Sequence, residues 1–287
     1  MAVLSNTIVA ADLVPAITVD YTSRIKANID QFREMLGVSD MIALPAGSTV
    51  NIYALSKYNS PDQVNEGDVI NLTEIKRTVA KSLTMTLKKY RKLTTAEAIQ
   101  KVGRDVAINK TDEKFIAEIQ KEIKGAFFTS LKTGTGTTTA AATLQAQLAN
   151  GWAAVQAGFE DTDFSPIHFV HPTTAAAYLG SASITTQNAF GLSYIEDFLG
   201  LGTLVITTAV SAGDVWSTAK ENFVGYNVPM NGDALAEFGL TSDETGLIGM
   251  NHFIADDRAS IATLALCGVV FAPELLDHVY KGTISEQ

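Results

Sequence analysis

An alternating segment between residues 49 and 88 is the feature that most limits how this chain can fold. Residues 49–57 alternate between apolar and polar side chains, and residues 79–88 do so again. Between these runs lie Asn59-Ser60-Pro61-Asp62 and Glu66-Gly67-Asp68, which are typical of turns because proline presets φ and glycine allows a reversed backbone. The pattern predicts a long two-stranded hairpin. Since an isolated hairpin is marginally stable in water, and little nearby sequence can cover its apolar side, we expect it to lie against something else.

The charges are distributed unevenly along the sequence. The 287-residue chain has a net charge of −10, yet residues 57–104 hold ten basic and five acidic residues. Residues 135–287 hold three basic and sixteen acidic residues. Seven cationic residues and no acidic one fall within residues 76–92, with Tyr90 as the one aromatic residue among them. This separation favours contact between the basic segment and acidic protein, including another copy of the chain, over a nucleic-acid interface.

The composition is typical of a soluble globular protein. No apolar run approaches the roughly 18 residues that a membrane helix needs, so we expect no membrane partner. The single cysteine, Cys267, excludes an internal disulfide framework, and its apolar neighbours indicate a buried, unreactive thiol.

A second strong signal is a long amphipathic helix over residues 111–134. Its apolar residues recur four positions apart, at Phe115, Ile119, Ile123 and Phe127. With a rise of 1.5 Å per residue the helix would be about 30 Å long, which makes it a spine of the fold. The low-complexity stretch 133–143 then predicts a boundary. After it we expect alternating short elements, among them helices over 194–199 and 273–280 and a buried strand over 261–271.

Sequence signatures of catalysis are absent. The chain has no phosphate-binding glycine loop, no nucleophile elbow and no zinc-binding His-Glu-x-x-His helix. His168 and His171 are three apart in a predicted strand, so their side chains should point to opposite faces. His252 and His278 have no recognisable partner. We therefore expect no catalytic residue, no cofactor, no metal site and no enzymatic activity.

The order of these parts resembles a known family. An extended N-terminal arm, a long basic hairpin, a spine helix and a compact α/β region resemble the major capsid protein of tailed bacteriophages with the HK97 fold. Three phrases in the right order strengthen the resemblance: 169–179 (FVHPTTAAAYL), 202–208 (GTLVITT) and 268–274 (GVVFAPE).

The resemblance implies an α+β, HK97-like capsid fold in four parts. An N-terminal arm and short helix would occupy residues 1–44, with the arm itself at 1–21. An extended loop would occupy 45–92. A peripheral domain would combine 93–138, including the spine helix at 111–134, with 223–262. An axial domain would combine 139–222 with 263–287.

The implied function is structural. Many copies would form the hexamers and pentamers of an icosahedral shell that encloses double-stranded DNA, first in the host cytoplasm and finally in the virion. The extended loop would lie across a neighbouring subunit. The residues we then expect at contacts between subunits are Lys57, Asp62, Glu66, Asp68, Lys76, Arg77, Lys81 and Lys88.

Two departures from the family pattern matter. Some members carry a long N-terminal scaffolding segment, whereas here the arm starts at Met1, so we expect a separate scaffolding protein beside a portal. Some members also form a covalent crosslink from a loop lysine. Lys57 lies in a suitable region but has no matching partner, so no crosslink is assigned. An encapsulin-like nanocompartment shell stays open as an alternative, and so does a soluble α/β enzyme with a dispersed site.

Overall fold

The computed structural model describes residues 29–38, 41–55, 77–104, 107–108, 110–159, 163–180, 186–189, 192–230, 237–242 and 247–285. The predicted N-terminal arm lies outside these residues, as do Lys57, Asp62, Glu66, Asp68 and Lys76. Within the described part, no helix is long and apolar enough to cross a membrane.

The described residues form five α-helices and sixteen strands. Helix α1 covers the described residues 29–36, and the other helices are α2 (Ala96–Val102), α3 (Lys110–Leu131), α4 (Leu144–Gly158) and α5 (Pro172–Leu179). The strands, in chain order, are β1 (Met41–Ala43), β2 (Thr49–Leu55), β3 (Arg77–Thr84), β4 (Lys88–Thr95), β5 (Gly136–Thr137), β6 (Pro166–Val170), β7 (Gln187–Ala189), β8 (Leu192–Ile195), β9 (Thr203–Ile206), β10 (Asp214–Ala219), β11 (Phe223–Asn227), β12 (Thr241–Ser242), β13 (Ile248–Ala255), β14 (Ser260–Cys267), β15 (Val269–Pro273) and β16 (Tyr280–Thr283).

The predicted hairpin is confirmed as the antiparallel pair β2–β3, with a register irregularity between Ile52 and Tyr53. The prediction of one return strand as far as Lys88 is wrong. The chain leaves the hairpin after Met85 and continues as β4, which pairs with β14 in another sheet. The apolar alternation runs through this break because Met85 and Leu87 both pack in one interior cluster. A period of two therefore could not indicate that the strand changes its partner.

The spine helix α3 is also confirmed, and it lies between two sheets. One is the antiparallel four-stranded sheet with the order β12-β13-β14-β4, and the other is the three-stranded sheet β1-β11-β15. Around the second half of α3 the main core is rich in edge-to-face aromatic pairs. Phe127 has its ring centroid 5.4 Å from Phe32 and 5.2 Å from Phe223, and Phe271 lies 5.2 Å from Phe32.

The remaining strands form a mixed seven-stranded sheet with the order β5-β16-β10-β6-β9-β8-β7. Its central strands alternate between two apolar layers. Phe169 and Trp216 face the main core, whereas Val170 and Val215 face a second core beneath α4 and α5. Both faces are therefore covered, as expected for strands with near-continuous apolar sequence.

Three of the predicted short elements differ in the structure. Residues 194–199 do not form an α-helix: β8 pairs with β9, Asp197 and Leu199 take positive φ values of 47° and 56°, and a single 3₁₀ turn follows at Phe198–Gly200. Residues 273–280 are not helical either, because the side chain of buried Asn222 accepts a hydrogen bond from the backbone N–H of Leu275 and holds a turn there. The strand predicted over 261–271 is two strands, which separate at Gly268 and join different sheets.

Candidate assembly surfaces

The base of the hairpin packs against residues of its own chain. Ile52 is buried against Ala272 and Leu276, and Met85 is buried against Leu266. The expectation that the apolar side of the hairpin lacks cover within the chain is therefore wrong for its base, since the segment after β15 returns beneath it. Higher on the hairpin the cover ends, and Val79 is 52% exposed.

Two of the predicted contact residues lie on β3. Arg77 forms the last described backbone pair of the hairpin, opposite Leu55. Lys81 extends toward the C-terminal end of α3, where its Nζ donates a hydrogen bond to Thr133 Oγ1 over 3.4 Å. Partial burial lowers the pKa of Lys81. A cation is favourable at this end of a helix because the unpaired carbonyls carry partial negative charge.

Lys88, the third described contact residue, lies on β4 and pairs within its own chain. Its Nζ is 3.1 Å from Glu122 Oε2 on α3, and the Tyr90 hydroxyl donates to the same oxygen over 2.8 Å. The hydrogen bonds from Tyr90 and Lys88 lower the pKa of Glu122, while burial and the neighbouring carboxylate raise the pKa of Tyr90. These contacts fasten β4 to the spine helix.

The path of the chain divides the basic segment between the hairpin and β4. The hairpin and its tip, residues 49–84, hold four basic and four acidic residues and are neutral in sum. The whole surplus of positive charge in residues 57–104 falls in residues 85–104, which hold six basic residues and one acidic residue. The prediction of a basic hairpin therefore applies to β4 and its surroundings rather than to the hairpin, because the sequence run was divided between two sheets.

The two faces of the four-stranded sheet differ in their cover. Directly opposed residues of antiparallel strands share a face, so Lys89, Arg91 and Leu93 share a face with Phe253 of β13. All four are exposed, and Phe238 lies beside them. We call Lys89, Arg91, Leu93, Phe238 and Phe253 the outer patch. It was missed in the sequence, where its members are up to 164 positions apart.

The opposite face holds a buried ionic cluster at the start of α3. Asp112 is fully buried and forms an ion pair with Lys92 of β4. The Asp112 Oδ2 atom lies 3.0 Å from His252 Nε2, and Thr263 donates a hydrogen bond over 3.3 Å to Oδ1, the oxygen that Lys92 contacts. The expectation that His252 has no partner is thus wrong. The cluster joins β4, β13 and β14 to the N-terminal end of the spine helix, where a carboxylate is favourable.

The other histidines have structural roles. His168 is buried, with Nε2 3.1 Å from the Leu201 carbonyl and Nδ1 2.8 Å from Ser217 Oγ. The carbonyl can only accept, so Nε2 carries the proton and the Ser217 hydroxyl donates to Nδ1. Burial lowers the pKa of His168 to about 4. His171 caps α5 by accepting the Thr173 N–H.

His278, expected to be alone, lies between Asp277 Oδ1 and the Gly158 carbonyl. Cys267 is buried, as predicted, and burial raises the pKa of its thiol to about 11. A thiol with this pKa is protonated at neutral pH, so it is a poor nucleophile.

A cleft of about 590 Å³ lies between the starts of α4 and α5. Thr143, Thr173, Thr174 and Tyr178 are its hydroxyl-bearing lining residues, and among the residues that the structure describes no carboxylate, amine or imidazole lines it. A site for general acid–base catalysis needs such groups within reach of the substrate. The cleft therefore offers no support for the enzyme alternative.

Comparisons with known proteins find similarity in the structure but not in the sequence. No protein-family model matches the sequence, and no curated protein matches it. The SrpI encapsulin of Synechococcus elongatus is 12% identical, with a TM-score of 0.54 over 88% of this chain and 86% of its own. A virus-like particle from Pyrococcus furiosus is 10% identical, with a TM-score of 0.51 over 91% of this chain and 99% of its own. The structure of Mycobacterium phage Patience is 10% identical, with a TM-score of 0.51 over 100% of this chain and 91% of its own.

These neighbours share one fold. The chain has the HK97 fold. In the terms of that fold, α3 is the spine helix and β2–β3 is the described part of the extended loop. The α+β architecture expected from the resemblance is thereby confirmed.

Proposed function

We propose that this HK97-fold chain is a major capsid protein, many copies of which assemble as hexamers and pentamers into an icosahedral phage head around double-stranded DNA. The observation that supports this is the fold itself, which is shared over 88% or more of the chain with shell-forming proteins. The proposal places the protein in the virion, after assembly in the host cytoplasm with a separate scaffolding protein and a portal.

The surfaces described above suit a lattice protein. The apolar side of the spine helix and the central strands of the seven-stranded sheet are covered within the chain, whereas Val79 on the hairpin and the outer patch on the four-stranded sheet are exposed. Exposed apolar groups beside charges are typical of surfaces that meet a partner. We propose the predicted set as subunit contacts: Lys57, Asp62, Glu66, Asp68, Lys76, Arg77, Lys81 and Lys88.

The proposed domain division follows the sheets. The seven-stranded sheet would be the axial domain, and the four-stranded sheet with α3 would be the peripheral domain. The expected boundary between residues 262 and 263 would cut β14, which pairs along its length with β4 and β13. We therefore place the return to the axial domain after Pro273, since β16 is the next strand and joins the seven-stranded sheet.

A nanocompartment shell is the second candidate function. It is favoured by the similarity to the SrpI encapsulin, which has a TM-score of 0.54 over 88% of this chain and 86% of its own. The two functions predict different contents and different neighbouring genes. A phage head would be accompanied by portal and terminase genes, and a compartment by the gene of a cargo enzyme.

Electron microscopy of the expressed protein tests the shared part of the proposal. We expect closed shells or capsomers, formed by the chain alone or with its scaffolding protein. Nuclease-protected DNA in particles from infected cells would support the phage head, and a co-purifying enzyme would support the compartment. A protein that stays monomeric under all of these conditions would contradict both.

A further inference from the structure

We infer that the turn at residues 274–279 couples the position of the hairpin to the orientation of the seven-stranded sheet, and that the buried side chain of Asn222 holds this coupling in place. The coupling is a property of the single chain, so it does not depend on the proposed function. It joins the base of the hairpin to a part of the fold with which neither hairpin strand pairs.

Three segments of the described chain connect the seven-stranded sheet to the rest of the molecule. They are residues 132–135 from α3 to β5, residues 220–222 from β10 to β11, and residues 274–279 from β15 to β16. Thr135 in the first segment donates its backbone N–H to the carbonyl of Leu276 in the third over 2.9 Å. Glu274 at the start of the third donates its backbone N–H to the carbonyl of Asn222 in the second over 2.7 Å. The three connections therefore meet at one junction, which sets the orientation of the sheet.

The side chain of Asn222 lies inside this junction and is 2% exposed as a residue. Its Nδ2 donates to the Leu275 carbonyl over 3.0 Å and to Thr218 Oγ1 over 3.1 Å, and its Oδ1 accepts the Leu275 N–H over 2.8 Å. Thr218 in turn donates its hydroxyl to the carbonyl of His278 over 2.9 Å. An asparagine amide has two donor hydrogens and an acceptor oxygen, and here all of them are used. Asn222 thus fixes the turn to the end of β10.

The base of the hairpin is attached to the same turn. Tyr53 of β2 forms a parallel β-bridge with Leu275, the residue whose N–H and carbonyl are both paired with Asn222. The preceding residue, Ile52, is buried against Leu276. The register irregularity of the hairpin lies between Ile52 and Tyr53. Because an irregularity of this kind bends a strand and redirects its side chains, it suits the point where the hairpin meets the turn.

These contacts place Leu275 between the hairpin and Asn222. A displacement of the hairpin therefore either breaks the hydrogen bonds of Asn222 or moves the whole junction and the seven-stranded sheet with it. Breaking them leaves buried polar groups unpaired, which costs more free energy than a well-packed junction loses by moving as one body. With Asn222 in place the hairpin and the sheet should move together, and without it they should move independently.

Hydrogen exchange of the unassembled chain tests the coupling. Asn222→Asp keeps the shape of the side chain but removes both donors and sets a carboxylate oxygen against the Leu275 carbonyl. We expect the amides of residues 274–279 and of both hairpin strands to exchange about tenfold faster in this variant, while those of α4 exchange at the wild-type rate.

Two further variants complete this experiment. Thr218→Val has the same shape and leaves the pair of Asn222 with Leu275 intact, so it should cause a smaller rise in exchange at the same segments. Val170→Ala removes buried apolar volume from the second core, away from the junction, and is the control for lost stability. Its hairpin amides should exchange at the wild-type rate.

A distance measurement tests the orientation directly. Spin labels at Val79→Cys on the hairpin and Ala153→Cys on α4 occupy exposed positions, and the native Cys267 is buried. Electron–electron double resonance should give one narrow distance distribution for the otherwise unchanged chain and for Val170→Ala. The distribution should broaden in Asn222→Asp, because the hairpin and the sheet then move independently.

Three results would overturn the inference. Faster exchange in residues 274–279 alone would show that Asn222 holds the turn without coupling it to the hairpin. A narrow distance distribution in Asn222→Asp would show that other contacts fix the orientation of the sheet. Equal changes in Val170→Ala would show that lost stability, rather than the junction, releases the hairpin. If Asn222→Asp does not fold, Thr218→Val decides by the same measurements: unchanged exchange in its hairpin would contradict the coupling.

Discussion

The seven-stranded sheet and the four-stranded sheet cover their faces in different ways. In the first, alternate residues of β6, β9 and β10 pack into two separate cores, one shared with the main core and one beneath α4 and α5. In the second, the face toward α3 is covered and joined to the helix by ion pairs, whereas the opposite face is covered around Leu266 and exposes the outer patch beside it. The central strands of the first sheet are covered on both faces by residues of the same chain, whereas the second sheet exposes a surface that a partner can cover.

The difference between the two sheets indicates which surface of the molecule is available for contact with a partner. A sheet that is covered on both sides derives its stability from its own core. A sheet with a partly exposed face can exchange solvent for a partner at the exposed part without disturbing that core. The buried cluster around Asp112 attaches this sheet to the spine helix through contacts within one chain.

Removing the buried carboxylate of Asp112 should have the largest effect on the free energy of unfolding. Asp112→Ala leaves the Lys92 ammonium and the His252 ring without their shared partner, and we expect the free energy of unfolding to fall by about 3–5 kcal/mol. Urea denaturation measures this loss. The paired replacement Lys92→Met with Asp112→Leu should lose less, because no uncompensated charge is then buried. A loss below about 1 kcal/mol for the single change would contradict the role of the cluster.

The seven-stranded sheet should respond to pH through His168. Its pKa in the folded chain is about 4, against 6.5 when exposed. Between these values the unfolded chain binds a proton that the folded chain does not, so stability should fall as the pH drops through this window. The loss should approach ~3 kcal/mol.

Urea denaturation from pH 7 to pH 4 measures this dependence. His168→Gln is the comparison, because an amide can still donate to the Leu201 carbonyl but does not titrate. The variant should show a flatter pH profile than the wild type. Identical slopes in the two proteins would show that His168 is not the titrating group.

Substitutions of two helical glycines should change the stability less, and they compare how closely α4 and α3 are packed at these positions. A Cβ on Gly151 of α4 would lie 2.2 Å from Ser217 Oγ of the seven-stranded sheet, whereas a Cβ on Gly125 of α3 would meet nothing within 4 Å. Gly151→Ala should therefore destabilise the protein by about 1–3 kcal/mol. Gly125→Ala should stabilise it by about 0.5–1 kcal/mol, because alanine favours a helix. Equal shifts of the melting temperature would contradict the close contact of α4.

The smallest effect on folding should come from the basic residues at positions 76–81 of the hairpin. We expect the combined change of Lys76, Arg77 and Lys81 to Glu to alter the free energy of unfolding by roughly 1 kcal/mol or less. If these residues meet acidic surfaces of a neighbour, assembly should nonetheless weaken and its salt dependence should change. Light scattering across a salt series measures both. Normal assembly with an unchanged salt response would remove these residues from the proposed contacts.

Local patterns predicted part of this molecule well. The spine helix was predictable because its apolar residues repeat at the helical period. The helix predicted at 194–199 failed because pairing of β8 with β9 outweighed local preference. The Asp112 cluster could not be predicted, since His252 and Thr263 are 140 and 151 positions away from Asp112.

The sequence by itself determined the hairpin, the spine helix, the imbalance of charge and the resemblance in the order of parts, because each depends on residues near one another in the chain. Only the tertiary structure decided which sheet each strand joins. That decision moved the basic surplus from the hairpin to β4, covered the hairpin base with residues around Ala272, and created the outer patch from β4 and β13. The reason is physical: strand partners and ion pairs form between residues that are distant in sequence, and a period of two is the same whichever partner a strand has.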